Sequence, residues 1–289
     1  MSNTTLESVA AASGQFTIGG DLTVNRLGFG AMRITGKGIW GEPENATEVN
    51  HVLKRALELG IDFIDTADSY GPEVSERLIA ETLSPYPEGL VIATKGGLTR
   101  QGPDKWAPVG RPEYLRQCVE LSLRRLRLDR IDLYQLHRID PQVPPEDQLG
   151  ELKKLQEEGK IRHVGLSEVS VSELEHAQDY LTIVSVQNLY NLANRKSEDV
   201  LDYCTAHGIA FIPWFPIDAG RLAGDGRLGR IAADHEASIA QIALAWLLKR
   251  SPVVLPIPGT SSVAHLEENT AAAHIQLSDE EFKVLSDLA

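Results

Sequence analysis

The chain has 289 residues, 42% of them hydrophobic, which is enough to bury a full core in one barrel-sized domain. A formal charge of −13, from 28 basic and 41 acidic residues, argues against general affinity for nucleic acid or anionic lipid. The two cysteines, Cys118 and Cys204, sit on apolar helical stripes with no metal-ligand or redox spacing, so no metal site is expected and a reducing, cytoplasmic setting is.

Residues 1–14 carry no Lys or Arg and read as a flexible tail, without the charge pattern of a signal or transit peptide; residues 15–289 read as a single domain. Gly19-Gly20-Asp21 separates two alternating runs, Gln15–Ile18 and Leu22–Val24, and predicts a hairpin. Further strands are predicted at Arg26–Phe29, Asp62–Ile64, Val91–Thr94, Asp132–Leu136, His163–Leu166, Ile183–Val186, Ala210–Pro213 and Val253–Pro256. Helical patterns lie between them at Thr47–Leu59, Val74–Leu83, Pro112–Leu126, Pro145–Glu158, Val171–Tyr180, Glu198–His207 and Ile239–Lys249. Glycines 60, 159 and 208 follow three of these helices, and Ser278-Asp279-Glu280-Glu281 reads as a capped start of a last one. No apolar run approaches the length needed to span a membrane.

Apolar strands alternating with helices are repeated β–α units, and eight of them close into a (β/α)8 TIM barrel. The N-terminal β-hairpin is then expected to cap the barrel bottom. Chemistry in such barrels sits at the C-terminal strand ends. Loops 33–45, 96–110 and 216–230 all follow strands, so they are expected to form the walls of a substrate pocket.

Three strands end on polar groups. Ile61–Ile64 runs into Asp65, with Tyr70 in the adjoining loop; Leu90–Thr94 runs into Lys95; Ile131–Leu136 runs into His137. Taken singly, each is an ordinary turn or strand-end residue. Together they place an acid, a phenol, an amine and an imidazole on one face. A phenol titrates near pH 10, too high for an efficient proton donor at neutrality. A neighbouring ammonium lowers that value, so Lys95 is expected to tune Tyr70, with Asp65 holding Lys95 charged. His137 is expected to hydrogen-bond a substrate oxygen from a second direction. Two other motifs carry little. Gly28-Phe29-Gly30 has Arg33 where a dinucleotide fingerprint needs its third glycine, and the carboxylates Asp62 and Asp65 share one strand rather than facing each other across a cleft as in a glycosidase.

Three stretches resemble the signatures of the aldo-keto reductase family. They are Gly60–Ala67 running on to Tyr70-Gly71, then Ser122–Leu126 with Asp129 and Ile131–His137, and then Ile257–Thr260 with Leu266–Asn269. The resemblance implies a barrel that holds NADPH in extended form, with Tyr70 as general acid and Asp65, Lys95 and His137 as its companions. It implies that Ser167 and Gln187 fix the nicotinamide carboxamide, and that Trp214, followed by Phe215 and Pro216, stacks on its ring. Gly30, Ala31, Met32 and Asp65 are expected along the cofactor cleft, and Gly220 and Arg221 beside the pyrophosphate. Pro258, Gly259, Thr260, Ser261, His265, Glu268 and Asn269 are expected at the adenosine end. Glu168 stands where the family usually has Asn, so one carboxamide contact is expected to change. Gly259 and His265 stand where many members carry basic residues, which leaves NADH possible beside NADPH.

The implied activity is NAD(P)H-dependent reduction of an aldehyde or ketone, with Met32, Trp40, Tyr70, Trp106 and His137 facing a small apolar or aromatic carbonyl substrate. The alternative is a cofactor-binding regulatory subunit with the same barrel. A monomer or weak homo-oligomer is expected, without nucleic acid or membrane as partner.

Overall fold

The computed structural model describes residues 8–218 and 224–288. The hairpin forms as expected: β1 (Gln15–Ile18) pairs antiparallel with β2 (Leu22–Asn25) through the Gly19-Gly20 turn. Ile18, Leu22 and Val24 are buried in one cluster with Phe63, Val91, Leu133 and Leu255, so the hairpin's apolar face is the floor of the barrel. Its turn is fastened to the bottom rim, where Asp21 accepts from His163 Nε2 at 2.6 Å and from Arg162 at 2.7 Å. Residues 9–13, expected within a tail, form a 3-10 turn that buries Ala10 and Ser13 and bonds to Leu59 and Leu27. The packed body therefore begins ahead of the hairpin.

The units that follow are β3 (Phe29–Gly30), α1 (Ala46–Glu58), β4 (Phe63–Asp65), α2 (Val74–Leu83) and β5 (Val91–Gly96). An excursion then makes a second hairpin, β6 (Leu98–Gly102) and β7 (Lys105–Pro108). The alternation resumes with α3 (Pro112–Leu126), β8 (Ile131–Leu136), α4 (Pro145–Glu157), β9 (Ile161–Ser167), α5 (Val171–Gln178), β10 (Ile183–Gln187), α6 (Glu198–His207) and β11 (Ala210–Phe211). Among the described residues four α-helices follow: α7 (Gly226–Asp234), α8 (Ile239–Arg250), α9 (Val263–Ala271) and α10 (Asp279–Ser286).

The central sheet is parallel, in the order β3-β4-β5-β8-β9-β10-β11. Every residue of β5 and β10 is buried, as expected when helices cover one face and the barrel interior the other. The eighth strand departs from expectation. Val253–Pro256 is not a regular strand but a ribbon with a single bridge, Phe211 to Val254. It still closes the ring, because Phe211 N–H donates to Val253 O and Leu255 N–H to Phe211 O, both at 2.8 Å. On the other side Gly28 N–H reaches Pro256 O at 2.9 Å and Gly30 N–H reaches Pro258 O at 3.4 Å. Pro252, Pro256 and Pro258 have no N–H, so the ribbon mostly accepts, and a full ladder cannot form. The first strand is also displaced, from Arg26–Phe29 to Phe29–Gly30, because Arg26 folds below the barrel and donates to Leu248 O (2.8 Å) and Ser251 O (2.6 Å).

Two other elements were expected only as loop. The second hairpin turns at Gly102-Pro103-Asp104, with Gly102 and Asp104 at positive φ. In α7, Leu228, Ile231 and Ala232 make a buried stripe behind the Asp225 cap, although Gly226 and Gly229 weaken the helical pattern. Elsewhere capping chemistry marks helix starts: Ser170, Ser238 and Ser278 each form a reciprocal box with the residue three positions on. Among the described residues, no helix is long and apolar enough to cross a membrane.

Candidate active site

Parallel strands end together, so β4, β5 and β8 deliver Asp65, Lys95 and His137 to one rim. Tyr70 arrives from the loop after β4. That loop is tied down by Thr66 Oγ1 to Ser75 Oγ at 2.7 Å, and by Ser75 Oγ donating to Ala31 O at 3.0 Å. Lys95 Nζ lies at the centre. It donates to Asp65 Oδ2 at 2.6 Å, to Thr66 O at 2.9 Å and to Tyr70 Oη at 3.3 Å. Lys95 is fully buried and Asp65 nearly so. The other oxygen of Asp65 accepts from Gln187 Nε2 (2.8 Å) and Gln135 Nε2 (3.0 Å). A buried ion pair is tolerable only when its remaining hydrogen-bonding capacity is filled in this way.

The electrostatics set burial against the neighbouring charges. Burial works against the Lys95 ammonium, but Asp65 and Tyr70 outweigh it and hold its pKa above the usual lysine value. Burial also raises the Tyr70 phenol above its ordinary value, and the lowering by Lys95 does not overcome it. Tyr70 is therefore protonated at neutral pH, with Lys95 pulling its pKa down from where burial alone would hold it. Burial, with Lys95, Arg138 and Arg100 nearby, pushes His137 well below its usual value, so the imidazole is neutral. Ser69 Oγ lies 3.3 Å from His137 Nδ1. With that hydroxyl donating to Nδ1, the single ring N–H is on Nε2. Ser69 is a positioning group that sequence reasoning passed over.

These groups open into a cavity of about 680 Å³, within the range of small-molecule and cofactor sites. Of the residues expected there, Gly30, Met32, Asp65, Tyr70, Trp106, His137, Ser167, Gln187, Trp214, Phe215, Pro216, Pro258 and Gly259 line it. Trp106 comes from β7 and packs edge-on to both Tyr70 and His137, with Arg100 3.6 Å above its ring. The unexpected hairpin is therefore a wall of the pocket.

Other assignments move. Trp40 does not line the cavity; it is 37% exposed and rests against Arg100. Ala31 is buried behind the wall, where its carbonyl anchors Ser75. Glu168 also leaves the wall. Its backbone is left-handed, and its carboxylate accepts from Leu189 N (2.6 Å), Trp214 Nε1 (2.8 Å) and Lys196 Nζ (2.8 Å). Hydrogen bonds from Lys196, Leu189 and Trp214 exceed the burial that opposes them and lower its pKa, so it is an ionised clamp on Trp214. Thr260, Ser261, His265, Glu268 and Asn269 gather at and beyond the start of α9 without lining the cavity; His265 is exposed, Asn269 buried. Gly220 and Arg221 lie outside the described residues.

Sequence reasoning missed Arg33 and Arg138 on the wall. The Arg33 side chain lies across from Gly259, its Cγ 3.5 Å from where a Cβ on that glycine would stand. Gly30 and Gly259 approach so closely that a Cβ on either would fall 2.5 Å from a carbonyl oxygen, Ile257 O or Gly30 O. Only glycine fits at these two places. The result is a backbone-lined cleft running from the buried tetrad toward the start of α9. It fits an extended dinucleotide: Gln187 and Ser167 offer polar atoms at the inner end, Trp214 offers a ring, and Arg33 offers a cation farther out. Among the described residues, no cluster of His, Cys, Asp and Glu could hold a metal ion.

A model of the Aldo/keto reductase family matches residues 26–289. An uncharacterized oxidoreductase of Schizosaccharomyces pombe is 57% identical over 289 residues, covering 99% of this chain and 94% of the relative. Pyridoxine 4-dehydrogenase of Escherichia coli is 40% identical over 284 residues, covering 96% of this chain and 99% of the relative. The crystal structure of an aldo-keto reductase from Klebsiella pneumoniae in complex with NADPH superposes with a TM-score of 0.80 at 26% identity, covering 95% of this chain and 94% of that one. The tetrad, the barrel that carries it and these matches lead to one conclusion: the chain belongs to the aldo/keto reductase family.

Proposed function

We propose that this protein reduces an aldehyde or ketone to the alcohol, taking its hydride from NADPH in preference to NADH. The observation that carries this reading is the Lys95 ammonium bridging Asp65 and the Tyr70 hydroxyl at the floor of an apolar cavity, with neutral His137 beside it. Reduced nicotinamide, when bound, supplies the hydride to the carbonyl carbon. Tyr70 gives its proton to the oxygen as negative charge develops there, and Nε2–H of His137 donates to the same oxygen. Two preorganised donors in a water-poor site stabilise that charge without reorganising. Lys95 stabilises the phenolate left behind until it is reprotonated, and Asp65 keeps Lys95 charged and in place. Alcohol oxidation runs through the same groups in reverse.

For the cofactor, Gln187 and Ser167 would hold the carboxamide, Trp214, braced by Glu168, would stack on the ring, and Arg33 would face the phosphates. Preference for the 2′-phosphate would rest on the hydroxyls of Thr260, Ser261 and Ser262 and on His265 in the first turn of α9, where Glu48 already accepts from the Val263 amide at 3.1 Å. The E. coli relative is named for oxidation of pyridoxine at its 4-position, so pyridoxal is the first carbonyl to try. Cys118 and Cys204 are free and buried, which supports the reading of a reducing compartment.

The test is loss of reduced-nicotinamide absorbance with pyridoxal and with simple aromatic aldehydes, in the purified protein alone. Tyr70→Phe keeps the ring's packing but removes the proton, and is expected to lower turnover about 10²–10⁴-fold with NADPH affinity nearly unchanged. Full reduction by that variant would remove Tyr70 from the chemistry. Wild-type protein that binds NADPH but reduces no carbonyl would favour a regulatory barrel.

A further inference from the structure

We propose that Arg138 forms a subsite for an anionic oxygen on the substrate, so that the preferred carbonyl compound is apolar or aromatic but carries a carboxylate or an acidic phenolate. The inference rests on the carbonyl-reductase reading and narrows its substrate class.

Arg138 follows His137 off the end of β8 and lines the same cavity. Its Nη1 donates to His137 O at 2.5 Å and to Ser167 Oγ at 3.0 Å, both uncharged acceptors. Among the described residues, its Nε and Nη2 have no hydrogen-bond acceptor, and no carboxylate lies within 4.0 Å of the guanidinium. Arg26 and Arg195 bond only carbonyls, and Arg195 Nε is likewise without an acceptor among the described residues, but neither lines the cavity. Arg125 is paired with the buried Glu76 at 2.6 Å, and Arg250 with Glu198 and Asp202. Arg100, which has no carboxylate either, is saturated by the carbonyls of Gly38, Ile39, Ser69, Gly102 and Lys105.

The natural counter-ion for Arg138 would be Glu168, next to Ser167. Its oxygens are already engaged by Leu189, Trp214 and Lys196. The free edge of Arg138 is a planar fork suited to two parallel bonds to a carboxylate, or one to a phenolate. A half-buried cation with no carboxylate in contact, attracted by Glu168 only from beyond 4 Å, is costly, and an anion arriving with the substrate lowers that cost. Leu98, Trp106, Pro108, Ile139 and Ile217 also line the cavity, and this apolar lining suits a flat or branched body. The site thus sorts substrates by two features, an apolar frame and one negative oxygen near the carbonyl. Burial lowers the Arg138 pKa from the usual arginine value, with Glu168 and Tyr70 opposing it; a guanidinium stays charged in proteins, so the fork is a cation.

The experiment compares 3-carboxybenzaldehyde with its methyl ester in wild type, Arg138→Met and Arg138→Lys, using NADPH. Wild type is expected to favour the acid by at least about tenfold in kcat/KM, and Arg138→Met to lower the acid-to-ester ratio about 30–100-fold, mainly through KM, as for loss of a charged hydrogen-bonded pair. Arg138→Lys is expected to restore part of the ratio. If Arg138 merely fastens Ser167, both substrates lose equally and NADPH affinity by fluorescence titration falls with them; that outcome, or an unchanged ratio, overturns the proposal. A calorimetric arm does not depend on turnover: benzoate is expected to bind the NADP-saturated wild type and not Arg138→Met, with benzamide failing to distinguish them. If the wild type reduces neither aldehyde yet shows this benzoate pattern, the reductase reading fails on these substrates while the anion subsite stands; absence of benzoate binding to wild type overturns the subsite.

Discussion

Tyr70 decides how the site responds to pH. Because burial outweighs Lys95 and holds the phenol above its ordinary value, Tyr70 keeps its proton throughout the neutral range. Carbonyl reduction is therefore expected to lose no rate between about pH 6 and 8 through ionisation of the acid, while alcohol oxidation, which needs the phenolate, rises with pH across that range. Rate profiles in both directions check this, and a reduction rate that falls as pH rises from 6 to 8 contradicts the assignment. Ser69→Ala releases Nδ1 of His137 and should lower kcat a few-fold, with NADPH affinity unchanged, as expected for a group that orients another. The four tetrad residues were legible because each ends an apolar run or follows one closely. Ser69 and Arg33 were not: a serine between an aspartate and a tyrosine, or an arginine opening a loop, acquires meaning only when a distant residue such as His137 or Gly259 is placed beside it.

At the scale of elements, the β4–α2 connection holds Tyr70 in place and also carries a cost. Asp68 is buried in this connection, and its Oδ1 has no hydrogen-bond partner among the described residues. Burial, with Glu76 nearby, raises its pKa to about 7. The sign follows directly: a carboxyl raised in the folded state stabilises it fully below the unfolded value near 4, and that contribution is lost as pH climbs through about 7. Asp68→Asn should therefore be more stable than wild type at pH 8, with the difference shrinking by roughly 3 kcal/mol at pH 5, measured by thermal melts. A difference independent of pH would mean that Asp68 is ionised throughout. Most elements could be read from periodicity and caps, and α2, α3 and α6 match their expected limits. The exceptions have definite causes. Pro252, Pro256 and Pro258 deny the eighth strand donors, Gly226 and Gly229 mask α7, and the β6–β7 hairpin is short and largely polar (Thr99, Arg100, Gln101, Lys105), which leaves no alternating apolar pattern to read.

Across the whole molecule, the charge of −13 opposes any anionic cofactor, and Glu48 already sits at the start of α9, so attraction must come from a few local cations such as Arg33. His265→Arg adds a full charge and a fork at that start. It is expected to tighten NADPH about tenfold while leaving NADH within about twofold, as one charge-assisted contact to the 2′-phosphate would do. An unchanged ratio of the two affinities would place His265 away from that phosphate.

The barrel's closing ribbon has a further consequence. Between β11 and β3 the ring is held by four backbone bonds, the longest of them Gly30 N–H to Pro258 O at 3.4 Å, and the cleft proposed for the cofactor runs along that join. Amides of residues 28–30 and 253–259 should accordingly exchange with deuterium earlier than those of β5 or β8, since local opening follows the weakest cooperative unit. A dinucleotide lying across the join would touch both of its edges and act as a stitch between the first strand and the last. Exchange at the join should slow on adding NADPH far more than exchange at the hairpin floor, and resistance to proteolysis should rise in step with it.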